Sequence, residues 1–275
     1  MGGLLRLAMI GAALVGLLCA AEWADPEAPA RARVRRYPGR TDLGWFLVYL
    51  AYAPLAARGA MAAASAVSRR GVLHGNIARW PATARFVAAV IVAEGCAYWW
   101  HRASHASPVL WRVHVVHHRP TELHWWSAFR FHPLDGALSH GVPLIAAAVC
   151  GFGPAVLSGY LGVALVVTVF AHADVWLPGP VATLVAALVA TPGFHRTHHE
   201  IGRDHGNFAL VLPVFDHVFG TASSSSGVRR FGTDAPDQRR ATSPSASDAT
   251  LATALTARAT AGAASWRRPT RAASI

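Results

Sequence analysis

Charge is scarce in this 275-residue chain, in which 14% of the residues are charged and 53% are hydrophobic. That balance is too apolar for a soluble protein of this length. Lysine is absent, so all 25 basic residues are arginines, and they exceed the 14 acidic residues by 11. An excess of positive charge suits anionic lipid headgroups as well as nucleic acid, and the hydropathy favours lipid. We therefore predict an integral membrane protein with no nucleic-acid partner.

Cysteine is rare, and several metal-binding motifs are missing. The three cysteines, Cys19, Cys96 and Cys150, lie in apolar surroundings without paired spacing, which argues against a disulfide framework. No His-Glu-x-x-His motif occurs, which sets aside a zinc metalloprotease. The Glu-x-x-His pairs of ferritin-like carboxylate sites are absent as well. A metal site in this chain would therefore be built from histidine.

Long apolar runs predict an all-α, polytopic helical bundle in the membrane. Residues 4–20 are long enough for a signal peptide or an anchor, and we favour an uncleaved anchor. The remaining candidate spans are residues 43–67, 82–100, 136–150 and 154–171. The glycines and proline at 151–154 predict a tight turn between the last two. Residues 180–191 are too short to span and are expected to lie along the interface or against the bundle.

The distribution of arginine predicts the orientation of the bundle. Arginines cluster between residues 31 and 40, which favours the cytoplasmic side for that linker. Pairing the spans then places every histidine cluster in a cytoplasmic cap, although the arginines at 69, 70, 79 and 85 lie outside, against the same rule.

Three domains are predicted along the chain. Residues 1–40 form the anchor or signal-like segment with its basic linker, and residues 41–221 form the membrane domain with its cap. Residues 222–275 are rich in Ser, Ala, Thr, Pro and Arg, which predicts a disordered tail.

Histidine is clustered at spacings that suit metal chelation. The clusters have the patterns His-x3-His, His-x2-His-His and again His-x2-His-His, and they comprise His101, His105, His114, His117, His118, His195, His198 and His199. Side chains three or four residues apart share one face of a helix, so each cluster can present its imidazoles together. Eight imidazoles exceed the needs of one tetrahedral zinc ion, which predicts two metal ions. Imidazole suits Fe, Zn, Cu and Ni without separating them. The competing interpretation, ordinary interfacial histidines, is expected instead for His74, His124, His140, His205 and His217.

We call these three clusters histidine boxes. Their order resembles that of the sterol desaturase and fatty acid hydroxylase superfamily of membrane di-iron oxygenases. The resemblance covers about residues 95–221. It extends to the segments 130–135 and 170–174, to Asn207 and Phe208, and to the ending at 215–221. This chain departs from the family pattern where Phe208 and Ala209 replace Tyr-Gly and where Phe215 replaces Trp.

The resemblance implies a cofactor and a set of site residues. It implies two iron ions, for which zinc can substitute in overexpressed protein, bound by the eight box histidines with His172 as a ninth ligand. It further suggests four residues as ligands or as groups that orient ligands: His132, Asp174, Asn207 and Asp216.

The same resemblance implies an oxidoreductase that hydroxylates or desaturates a C–H bond of a sterol-like or other lipid, using O2. The electrons would come from a separate ferredoxin or cytochrome b5 type donor with its reductase, because the chain has no haem-binding His-Pro-Gly-Gly and no Gly-x-Gly-x-x-Gly motif. Two alternatives stay open: an enzyme resembling carotenoid hydroxylases, and a non-catalytic metal-binding membrane protein.

Overall fold

The computed structural model describes Gly16 and residues 40–71, 73–175, 177, 179–202, 206–223 and 231–233. Nine α-helices lie within this described part: α1 Arg40–Ser68, α2 His74–Ile77, α3 Ala82–Ala106, α4 Pro108–His118, α5 Pro133–Cys150, α6 Pro154–His172, α7 Gly179–Ala186, α8 Pro192–His198 and α9 Val214–Phe219. A 3-10 helix spans Trp125–Phe129. No named strand occurs among these residues, which confirms the all-α prediction.

Four helices, α1, α3, α5 and α6, are long and apolar enough to cross a membrane. They correspond to the four predicted spans from residue 43 onward, but α3 continues to Ala106 and α6 to His172. These two extensions carry histidines out of the apolar segments. The eight-residue helix α7 overlaps the first half of the predicted interfacial segment 180–191. The predicted anchor at 4–20 lies outside the described residues except for Gly16.

Helix α1 makes different contacts at the two ends of the bundle. At one end, Asp42 near the start of α1 pairs with Arg130 at 3.1 Å, and the ring of Phe46 packs on Phe129. At the other end, a Cβ added to Gly71 would lie 2.5 Å from the Cα of Gly151, so the chain after α1 touches the α5–α6 turn directly. Gly151 has φ 106°, a left-handed conformation that favours glycine. The predicted hairpin turn is therefore confirmed.

Small residues let the spanning helices pack closely. Ala64 of α1, Ala89 and Ala93 of α3, and Ala147 and Ala148 of α5 are fully buried. Helices in a membrane associate through such close packing, since lipid offers no hydrophobic drive between them. Some large apolar side chains of these helices, such as Leu144 and Leu157, are also buried, whereas Leu47, Leu55 and Val87 are among those exposed.

The cap consists of short helices whose starts are set by local sequence. Helix α4 begins after Ser107, whose hydroxyl accepts from the backbone N–H of Leu110 at 3.4 Å. Helix α8 begins after Thr191, whose hydroxyl accepts from Phe194 N at 3.3 Å. Each has proline at its first position, where the missing N–H costs nothing. Both histidine-rich boxes of the cap thus lie on helices with defined first turns.

Parts of the predicted tail are described and contact the cap. Phe231 forms an antiparallel bridge with Glu200. The guanidinium carbon of Arg196 lies 5.1 Å from the centre of the Phe231 ring. The backbone N–H of Ser223 donates to Asn207 Oδ1 at 2.7 Å. The disordered tail predicted for residues 222–275 stays a prediction, since residues 224–230 and 234–275 lie outside the described residues.

Candidate metal centre

Nine histidines meet in the cap as two separate groups. The five-histidine group consists of His101, His105, His114, His118 and His198, and the four-histidine group of His117, His172, His195 and His199. Within each group, one nitrogen from every ring lies within 4.8 Å of the others. All nine rings are buried except that of His101, which is partly buried. These are the eight box histidines and His172.

Helix geometry divides each His-x2-His-His box between the two groups. In α4, His114 and His118 are four residues apart and share a face, whereas His117 points about 100° away from His118. His114 and His118 therefore reach one group and His117 the other. The third box divides in the same way, since His195 and His199 reach the four-histidine group and His198 the other. The two boxes thus hold the two groups next to each other.

The spanning helices supply the remaining rings. His101 and His105, near the end of α3, lie one turn apart on the same face. His172 is the last residue of α6. Both groups therefore lie where the apolar helices leave the membrane-spanning part of the bundle.

Five of the nine rings are oriented by a hydrogen bond from Nδ1 to an acceptor oxygen. Four acceptors are backbone carbonyls, and one is a carboxylate. The pairs are His101 with Phe208 O at 2.7 Å, His198 with Gly206 O at 2.7 Å, His172 with Thr168 O at 2.8 Å, His117 with Arg130 O at 3.3 Å, and His114 with Asp135 Oδ2 at 3.1 Å. Because a carbonyl or carboxylate oxygen accepts, Nδ1 carries the hydrogen and donates. Each of these rings then directs the lone pair of Nε2 into its group, as metal-binding histidines usually do.

The four-histidine group has the nitrogen spacing of a metal site. His117 Nε2 lies 3.4 Å from His172 Nε2, which lies 3.2 Å from His195 Nε2, and His199 Nε2 lies 3.1 Å from His195 Nε2. A tetrahedral ion with metal–nitrogen bonds of about 2.0–2.1 Å separates its ligand nitrogens by about 3.3 Å. The lone pairs of His117 and His172 face each other here, an arrangement that a cation between them would stabilise.

The five-histidine group fits a metal for a different reason. Four of its Nε2 atoms are buried without a hydrogen-bond partner among the described residues: those of His101, His114, His118 and His198. Buried polar atoms are nearly always partnered, so four convergent ones require an explanation. A metal ion would accept all four lone pairs.

The cap keeps its imidazoles in the form that binds metals. Burial, followed by the neighbouring imidazoles, lowers the pKa of His117, His118, His195 and His199 well below the ordinary value. Burial and His101 do the same for the pKa of His198. These rings are neutral near pH 7, and a neutral ring needs no proton displaced before it can bind a cation.

Asp135 contacts a ring of the five-histidine group, a contact that the sequence does not predict. Its Oδ2 accepts from His114, and both side chains are buried, at 2% and 3% exposed. Asp135 lies in the first turn of α5, where the helix dipole stabilises a carboxylate. The available signal was its position at the end of the family-like segment 130–135.

Two of the four further candidates hold the loop beside the histidines and do not contact their rings in a described bond. Asp216 accepts from the backbone N–H groups of Phe208 and Ala209, at 2.8 and 2.7 Å. Asn207, with φ 57°, donates from Nδ2 to the carbonyl of Phe194 at 2.9 Å. Both therefore hold the segment whose Gly206 and Phe208 carbonyls accept from the histidine rings.

The other two candidates lie outside both groups. The ring of His132 caps α5, since its Nδ1 accepts from Leu134 N at 3.2 Å. Asp174 pairs with Arg196 at 3.2 Å and so joins the end of α6 to α8. Their suggested contribution to a metal site stays a prediction.

The histidines expected to be ordinary also lie outside the two groups where they are described. His124 is buried against Trp126 with ring centres 4.6 Å apart, His140 lies near Phe131, and His217 is exposed. His205 and the side chain of His74 lie outside the described residues.

Comparison with known proteins fits the geometry. The fatty acid hydroxylase family matches residues 86–221, the range that contains all nine histidines. The chain belongs to the sterol desaturase and fatty acid hydroxylase superfamily. No solved structure matches it.

Relatives of this superfamily member include enzymes with different reactions. Sphinganine C4-monooxygenase 1 of Arabidopsis thaliana is 29% identical over 140 residues, which is 50% of this chain and 53% of the relative. Very-long-chain aldehyde decarbonylase GL1-9 of Oryza sativa subsp. indica is 28% identical over 149 residues, 53% of this chain and 57% of the relative. Fatty acid hydroxylase domain-containing protein 2 of Homo sapiens is 27% identical over 139 residues, 48% and 36% of the two chains. The chain thus spans about half the length of the first relatives it matches.

Proposed function

We propose that this protein is a membrane-bound di-iron oxygenase that hydroxylates a C–H bond of a lipid, using O2 and electrons from an external donor. The observation that carries the proposal is the convergence of nine largely buried histidines into two adjacent groups within the family-matched range. An ordinary interfacial histidine has no reason to share a buried cluster with eight others.

The proposed cofactor is one iron ion in each group, with all nine histidines as ligands. The donor set supports this, because imidazole suits iron and the nitrogens of the four-histidine group have metal-like spacing. Affinity along the divalent series does not favour iron over zinc, so an overexpressed sample can contain zinc instead. Bound iron would supply the activation of O2 and the removal of hydrogen from the C–H bond.

The protein's own residues would fix the geometry and exclude water. The carbonyls of Phe208, Gly206, Arg130 and Thr168 and the carboxylate of Asp135 hold the rings in one orientation. Rigid positioning of reacting groups is a large contribution to enzymatic rates. Burial of the rings keeps bulk water from the reaction.

A lipid substrate would reach the site from the bilayer. The groups lie at the ends of α3 and α6, two helices long and apolar enough to span. A sterol-like or other long apolar lipid could therefore extend from the membrane to the histidines without crossing the aqueous phase. Hydroxylation is favoured over desaturation because the matched family is named for it and sphinganine C4-monooxygenase 1 is among the relatives.

Partners and orientation are proposed on the same basis. The chain has no motif for its own electron carrier, which supports a separate ferredoxin or cytochrome b5 type donor with a reductase. The arginine cluster at 31–40 ends at Arg40, the first residue of α1, and this end of α1 adjoins the cap through the Asp42–Arg130 pair. The positive-inside rule therefore supports a cap that faces the cytoplasm.

The test is mass spectrometry of lipids from expressing cells supplied with 18O2. Wild type should yield a lipid that gains labelled oxygen, whereas His117→Ala, His118→Ala and His198→Ala should each abolish the product. Membrane insertion should persist, because a missing ligand loosens a metal without removing a span. His217→Ala is the matched control, since this exposed histidine lies outside both groups, and it should retain the product.

Other products would redirect the proposal. A lipid two mass units lighter would indicate desaturation, and a labelled carotenoid would favour the carotenoid alternative. Identical lipids from wild type and the three box variants would refute the oxygenase function and favour a non-catalytic metal-binding protein.

A further inference from the structure

The loop at residues 206–212 orients two rings of the five-histidine group. Its Gly206 carbonyl accepts from His198 Nδ1, and its Phe208 carbonyl accepts from His101 Nδ1, both at 2.7 Å. The Phe208 ring also packs on the ring of His105, with centres 5.4 Å apart. The loop contains no helix or strand, so its conformation depends on other contacts.

Two carboxylates hold the backbone of this loop. Asp216 accepts from the N–H groups of Phe208 and Ala209. Further along, Glu94 Oε2 accepts from Val211 N at 2.7 Å and from Leu212 N at 3.3 Å. Glu94 therefore binds the end of the loop as Asp216 binds its middle.

Glu94 is a carboxylate within a candidate membrane span. It lies in α3 and is 0% exposed, and its Oε1 accepts from the Tyr160 hydroxyl at 2.8 Å. Ionisable residues inside spans are expensive and usually have a function. The described contacts of Glu94 reach the loop and Tyr160, and none reaches a histidine ring. A role through the loop is the one that these contacts support.

The placement of Glu94 on α3 links the loop to a predicted ligand on the same helix. Glu94 precedes His101 by seven residues, about 10.5 Å along the helix. Helix α3 thus carries the ring of His101 and, through Glu94, also holds the loop whose carbonyl orients that ring. We propose that Glu94 is a positioning residue for the five-histidine group: by binding Val211 N and Leu212 N it fixes the loop that orients His101 and His198. This inference rests on the proposed metal site.

The test measures metal binding and not turnover. Metal-free, detergent-purified full chain is titrated with Co²⁺, and the two ions are assigned with His114→Ala and His195→Ala, one in each group. Glu94→Gln keeps one acceptor oxygen but loses the charge, so it should weaken binding to the five-histidine group by about tenfold, the lower end of the effect of groups that orient ligands, and change its Co²⁺ absorption spectrum. Binding to the four-histidine group should change less than about threefold, because its described ring-orienting bonds are to Arg130 and Thr168 and not to the loop.

Cys96→Ala is the matched control. Cys96 lies on the same helix two residues from Glu94, is not in a disulfide and belongs to neither group. Its variant should bind both ions as wild type does. Hydrogen exchange provides a second readout: Glu94→Gln should speed exchange at 211–212 while the spanning helices keep their protection.

Several outcomes would overturn the inference. Unchanged Co²⁺ binding in Glu94→Gln would do so, and so would equal weakening of both groups, which would indicate a general role in the fold. If Glu94→Gln does not fold, Glu94→Asp replaces it with the same expectation, because the shorter side chain cannot reach both N–H groups. Failure of both to fold would make Glu94 a residue of the fold and would also overturn the proposal. A wild type that binds two ions but makes no oxygenated lipid would refute the proposed function alone.

Discussion

Neutralising Asp135 should weaken metal binding to the five-histidine group by a predictable amount. Its carboxylate and the His114 ring are both buried and 3.1 Å apart. A hydrogen bond to a charged group contributes about 1.5–3 kcal/mol, compared with about 0.5–1.5 kcal/mol for a neutral pair. Asp135→Asn keeps the size and one acceptor oxygen but loses the charge, a difference of about 1.4 kcal/mol or about tenfold in metal affinity.

Asp135→Ala should cost more. It leaves the buried Nδ1–H of His114 without an acceptor, and the added desolvation penalty raises the loss to about 2.8 kcal/mol, or about 100-fold. We therefore expect a graded series, in which metal affinity falls about tenfold in Asp135→Asn and about 100-fold in Asp135→Ala relative to wild type.

The assay is Co²⁺ titration of metal-free, detergent-purified protein, with lipid turnover measured alongside. Ser139→Ala is the control, because Ser139 donates to the other oxygen of Asp135 at 3.3 Å and does not contact His114 in a described bond. It should change affinity less than about threefold, within the range of a weak neutral bond. The prediction is wrong if both Asp135 variants bind Co²⁺ like wild type, or if Asp135→Asn loses as much affinity as Asp135→Ala.

Four further predictions address other parts of the molecule. Metal analysis of well-loaded, folded protein should find two ions per chain, and a ratio at or below one would contradict the two-group site. The pKa values of His118 and His199 are lowered in the folded chain. The metal-free protein should therefore lose stability as pH falls below about 6.5, because these two rings then take up protons only in the unfolded chain. Denaturant titrations that show no such loss between pH 7.5 and 5.5 would refute this. Gly136→Ala should destabilise the α1–α5 contact by about 1–3 kcal/mol, because the added Cβ meets the Tyr52 hydroxyl, and adding Tyr52→Phe should recover part of the melting temperature. Deleting residues 234–275 should leave insertion and metal content unchanged, and loss of metal would move the domain boundary.

The spans and the eight box histidines could be predicted because their signals are local. A run of apolar residues marks a span, and three- or four-residue spacing places histidines on one helix face. His172 has no such spacing and was selected only through the resemblance. It proved to lie in the four-histidine group, beside His117, which is 55 residues away in sequence.

The division into five and four histidines could not be predicted. Spacing shows that His114 and His118 share a face, but it does not show which residues of other helices face them. That depends on how α3, α6 and α8 cross α4, which is a property of tertiary packing. His198 joins α3 and α4 residues while His195, one turn earlier, joins His172.

The acceptors that orient the rings explain a further limit of sequence reasoning. Four of the five are backbone carbonyls, and every residue has one, so no residue type marks them. What the sequence does contain is the carboxylates that hold this backbone in place, such as Glu94, which is 117 residues from Val211. A box histidine and a carboxylate of this kind should differ in their variants: loss of a ligand abolishes turnover, whereas loss of a carboxylate weakens binding in a graded manner. That difference, and not position in a motif, would separate the proposed metal ligands from the residues that orient them.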